Sequence, residues 1–73
     1  MVKALNLDTE KFNEAFKESG LRVGYVVDKL GISRQAFDRK RKGKVHFRLS
    51  EIYVLCDLMK ITDDEKKNEI FFP

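Results

Sequence analysis

Three glycines, Gly20, Gly31 and Gly43, each stand where a helical pattern stops. Glycine adopts the left-handed backbone that closes a helix at little cost, so these positions divide the chain into short helical segments. The first is expected after Asp8, an N-cap residue followed by Glu10, with Phe12, Ala15 and Phe16 on one face. Leu21 is placed to fold back onto its end. The second covers about 22–30, where Val23, Val26, Val27 and Leu30 form a single apolar stripe. Valines are weak helix formers, so tertiary packing must hold this segment. Ile32 then fills the corner and Ser33 caps a third segment, about 34–42, whose inward side is Phe37 with Ala36 and the methylene stem of Lys40.

The remainder fits the same scheme. "KVHFR" reads as a loop. A fourth helix, about 49–60, carries Ile52, Leu55, Cys56 and Met59 as its core stripe, with Val54, Leu58, Leu49 and Tyr53 on other sides. So broad an apolar circumference needs two covers. A fifth helix is expected from the capping box "TDDE", with Thr62 as cap and Glu65 reaching back. The apolar ending Ile70, Phe71 and Phe72 packs either into its own bundle or onto the fourth helix of a second subunit, and the two arrangements can coexist. Met1 to Leu7 reads as an arm or a short extended segment. The expected fold is one all-α domain over residues 1–73, a five-helix bundle.

At 73 residues the chain supports one small core. Its one cysteine cannot form an internal disulfide, so a reducing cytoplasm is the expected location. "MVKALNLDTEK" lacks the apolar centre of a secretory signal, and no apolar run suits a bilayer. A lone His46 and a lone Cys56 do not make a metal site. No nucleophile–base pair or Gly-rich phosphate loop stands out, so neither enzyme activity nor a cofactor is expected.

Charge is the second constraint. Residues 34–48 hold seven cationic side chains against one acid, Asp38, a local +6 in a chain whose total is +3. The other residues therefore sum to −3. A cationic face on a near-neutral body is the footprint of a polyanion binder. The basic region lacks the exposed aromatics that stack single-stranded bases, which disfavours RNA.

Two short helices joined by a Gly-containing turn form a helix-turn-helix unit, whose second helix enters the major groove. "RVGYVVDKLGISRQAFDRKRKGK" resembles the Cro/repressor-type (XRE-like) helix-turn-helix family, through "DKLGISRQAF" and the following Gly43. "LSEIYVLCDLMKI" is similar to that family's fourth helix, with Leu55-Cys56 where Leu-Ala is usual, and "ITDDEKKNEIFF" resembles the tails of small phage regulators. The likeness covers about residues 10–61.

It implies a lambda-repressor-like DNA-binding domain and a transcriptional regulator acting on a double-stranded DNA operator as a homodimer, at least on DNA. It implies base contacts from Arg34, Gln35 and Arg39. Backbone contacts are implied from Arg22, Ser33, Lys42, Lys44, His46 and Arg48, with Phe37 seating the helix. Asp38 is expected to accept from cytosine N4 or to pair with Arg34. Three departures from the family pattern stand out: Arg22-Val23 replaces Thr-Gln, Val27 replaces a small residue, and Lys40 replaces an apolar one. Lys40 is expected to loosen the third helix against the core or to turn the domain to another use. That use, which Val23 and the second apolar side of the fourth helix also suit, would be as a protein-binding modulator that pairs with a phage repressor and binds DNA weakly alone.

Overall fold

A computed structural model describes residues 7–73. The expected arm at Met1 to Leu7 lies outside the described residues apart from Leu7. Among the described residues there are five α-helices and no strand: α1 Thr9–Ser19, α2 Val23–Leu30, α3 Arg34–Arg41, α4 Leu49–Leu58 and α5 Asp64–Phe71. None of them is long and apolar enough to cross a membrane.

The caps explain most of the boundaries. Asp8 Oδ1 accepts from the Lys11 amide at 3.0 Å and starts α1. Ser33 Oγ accepts from the Ala36 amide at 3.0 Å and starts α3. Gly31 stops α2 with φ +71, donating to the Val27 carbonyl at 2.8 Å. Three ends differ from expectation. The third helix stops at Arg41, with Lys42 as its cap and the Lys44 amide reaching back to the Arg39 carbonyl at 3.0 Å. The fourth stops at Leu58 because Lys60 turns left-handed, φ +58, and the Ile61 amide bonds the Cys56 carbonyl at 2.8 Å. The fifth is capped by Asp63, not Thr62: Asp63 Oδ1 accepts from the Glu65 amide at 2.9 Å.

Phe12 is the centre of the core and is fully buried. Its ring lies 5.4 Å from Phe47, 5.9 Å from Phe71, 6.0 Å from Phe16 and 6.3 Å from Phe37. Those spacings suit edge and offset aromatic packing. They join α1, α3, the 42–48 loop and α5 in one cluster. Phe47 is thus a core residue carried by a loop, which the reading of "KVHFR" as a loop did not anticipate. Ile52, Leu55 and Cys56 of α4 and Met59, which caps it, complete the interior, and Val26 does so from α2.

Ile70 and Phe71 are buried in this same core, and the Asp8 amide bonds the Ile70 carbonyl at 2.8 Å. The apolar tail therefore packs within its own bundle, beside α1. It does not screen the far side of α4, where Leu49 and Tyr53 stay 57% and 63% exposed.

Candidate nucleic-acid interface

Helix α3 has two sides. Its inward side is Phe37 and Lys40, both buried, flanked by Ala36. Its outward side is Arg34, Gln35, Asp38 and Arg39, all exposed. Eight residues with so few apolar positions cannot hold themselves helical in water, so α3 depends on its cap, on Phe37 and on what Lys40 finds.

Lys40 finds Glu51. Its Nζ lies 2.6 Å from Glu51 Oε1, and both residues are buried, at 8% and 6% exposure. The same Oε1 accepts from the Arg48 amide at 2.8 Å, satisfying an open donor at the start of α4. Burial by itself raises the Glu51 carboxyl. The hydrogen bonds from Lys40 and the Arg48 amide, with the two cationic charges, outweigh it and hold the group below its ordinary value. The expected loosening of α3 by Lys40 is therefore corrected: the pair bridges α3 to α4. Each partner carried a sequence signal. Lys40 follows Phe37 by three positions and Glu51 precedes Leu55 by four, so both fall on core-facing stripes.

Asp38 pairs with Lys42, not with Arg34: Lys42 Nζ is 2.9 Å from Asp38 Oδ2. That hydrogen bond is the main reason its carboxyl sits below the ordinary aspartate value. Arg34 turns elsewhere. One of its terminal nitrogens lies 3.5 Å from where a Cβ on Gly24 would stand, which puts the guanidinium beside the first turn of α2.

The remaining expected contacts are distributed around this helix. Arg22 is exposed and immediately precedes α2, without a side-chain cap bond. Ser33 is exposed but its Oγ is already the cap acceptor, leaving its hydroxyl hydrogen as the donor. Lys42, Lys44, His46 and Arg48 are exposed along the connection from α3 to α4, interrupted by buried Phe47. The anchored ring of Phe47 fixes this cationic loop against the core. Val27, which stands where the family pattern has a small residue, is partly buried and packs against the core.

Arg41, outside the expected site, is half-buried. Its guanidinium carbon lies 5.6 Å from the Phe16 ring centre and 5.7 Å from that of Phe37. Among the described residues no cluster of three metal-ligating side chains occurs.

Comparison with protein-family models, with curated proteins and with solved structures finds no match to this chain.

Proposed function

We propose that this protein is a helix-turn-helix regulator of transcription that binds double-stranded DNA, with α2, the turn 31–33 and α3 as the unit and α3 in the major groove. The observation that carries the reading is the division of α3: Phe37 and Lys40 are tied inward, while Gln35 and Arg39 are exposed, with no carboxylate at ion-pair distance from Arg39 among the described residues. Gln35 is suited to grip adenine N6 and N7, and Arg39 to grip guanine O6 and N7. Arg34 lies at the α2 edge of the same face. Lys42, Lys44, His46, Arg48, Arg22 and Ser33 supply contacts to the phosphate backbone.

One module making a few phosphate contacts binds weakly at physiological salt. A homodimer spanning two half-sites about 34 Å apart gives the affinity an operator needs. Selection from a random-sequence duplex pool tests the reading. The wild type should enrich one motif, and Gln35→Ala should lose preference at a single base pair, at a cost of about 1–3 kcal/mol. Recovery of an unenriched pool would refute it.

A second reading rests on Leu49 and Tyr53, the exposed apolar pair on α4. In it the protein is a modulator that docks on a repressor and binds DNA weakly alone. Co-purification with a repressor that is lost in Tyr53→Asp, together with an unenriched pool, would select this alternative.

A further inference from the structure

We propose that the cleft between α2 and α3 is a seat for one phosphate group, in use a phosphodiester of the DNA backbone, with Arg41 at its inner side and Arg34 at its rim. The proposal rests on the DNA-binding reading and narrows it, because it assigns Arg34 to the strand and not to a base edge.

The cleft is a surface groove open to solvent, lined by Val23, Arg34, Gln35, Phe37, Asp38 and Arg41, with about 320 Å³ of space. That is roughly ten times the ~30 Å³ a water molecule occupies in the liquid, enough for a phosphodiester and its hydration. Two of the lining side chains are guanidinium groups, whose planar fork matches phosphate oxygens two at a time.

The state of Arg41 is the main argument. The lysines on either side of it in the chain are each paired with a carboxylate, Lys40 with Glu51 and Lys42 with Asp38. Arg41 has no carboxylate at ion-pair distance among the described residues. It is held by the faces of Phe16 and Phe37. A cation so held is partly stripped of water, fixed in direction and still fully charged. An arriving anion gains more from such a group than from a lysine moving freely in solvent.

The backbone is pinned as well. The Arg41 carbonyl accepts from Asn13 Nδ2 at 3.4 Å, which ties this end of α3 to α1. Asp38 is the one acid in the lining. Lys42 lies against it at 2.9 Å, so the cleft keeps a net positive charge. Arg34 completes the cleft. Its head group lies beside α2, one terminal nitrogen 3.5 Å from where a Cβ on Gly24 would stand. The two guanidinium groups then face one space, and Gln35 and Arg39 are left as the base readers.

The test uses the full chain with nitrogen-labelled arginine and follows the Nε–H signals by NMR. One arm titrates inorganic phosphate against chloride at matched ionic strength, and the other titrates a short duplex. Arg41 and Arg34 should shift saturably in both arms, while Arg39 should respond only to duplex. Arg41→Gln should lower the slope of log K against log salt by about 0.9, one phosphate's worth, with base preference unchanged.

An Arg41 signal that ignores duplex while Arg39 responds would overturn the seat. A base preference lost in Arg34→Gln would remove Arg34 from it. Should Arg41→Gln fail to fold, the wild-type spectra still decide. A chain that binds no duplex yet shows the saturable phosphate shift overturns the DNA reading and keeps the seat. No shift from either probe overturns both.

Discussion

Lys40 and Lys42 stand two residues apart at the end of α3, and each holds a carboxylate. Between them they sample both sides of the helix. Lys42 meets Asp38 in water, with more than half of each side chain exposed; Lys40 meets Glu51 in the core, with less than a tenth of each exposed. In solvent the attraction is screened and offset by the entropy of ordering two side chains. In the core it is strong, but it must first overcome the removal of two charges from water. The lesson is one of asymmetry. The inner pair adds little over a good apolar contact, yet losing one member is severe. The outer pair can lose either member with little effect on the fold.

The sharpest way to break this comparison is Glu51→Ala. It strands a buried ammonium and an unsatisfied amide at Arg48, and should cost about 3–5 kcal/mol. A domain of this size has of order 4–11 kcal/mol in total, so urea unfolding should show a large fall in midpoint or a substantially unfolded chain. Replacing both partners, Lys40→Met with Glu51→Leu, should restore wild-type stability or exceed it by about 1–4 kcal/mol. A double variant as weak as Glu51→Ala would mean that the apolar pair cannot fill the site.

A smaller effect follows from pH. Glu51 sits below its ordinary value in the folded state. Its contribution to stability is therefore fully present above the unfolded value, about 4.3, and is lost as pH falls through the lower folded value. Thermal melts of the wild type should show this acid-side loss, and the double variant should lack that part of it. Smallest of all is Asp38→Asn, which should leave the melting temperature within experimental error. A clear drop would mean that the outer pair holds the helix end.

Much of the architecture was legible because its signals are local. Asp8, Ser33, Gly20 and Gly31 act on neighbours three or four residues away, so both ends of α1, the end of α2 and the start of α3 fall close to where those residues place them. The Lys40–Glu51 bridge was harder to read, since the partners are 11 positions apart. Only their shared placement on core-facing stripes hinted that they meet. Phe47 was hidden for a related reason, because a single aromatic in a loop has no periodicity. The end of α4 was obscured by Lys60, a lysine in a backbone state that glycine ordinarily marks. Thr62 and Asp63 are both good caps, and sequence alone had no term to choose between them. On the candidate interface, the exposure of Arg34, Gln35 and Arg39 was readable from the helical period. The turn of Arg34 toward Gly24 and the stacking of Arg41 on two rings depend on packing between helices, which no local pattern records.

Cys56 has a practical consequence. It is the chain's one thiol, it lies in the α4 stripe of the core, and burial pushes it up from its ordinary value despite the opposing charge of Lys67. Only the thiolate is reactive, so an alkylating reagent must wait until α4 swings clear of its neighbours. The labelling rate of this single sulfur therefore acts as a clock for transient opening of the bundle, readable by mass without any added probe.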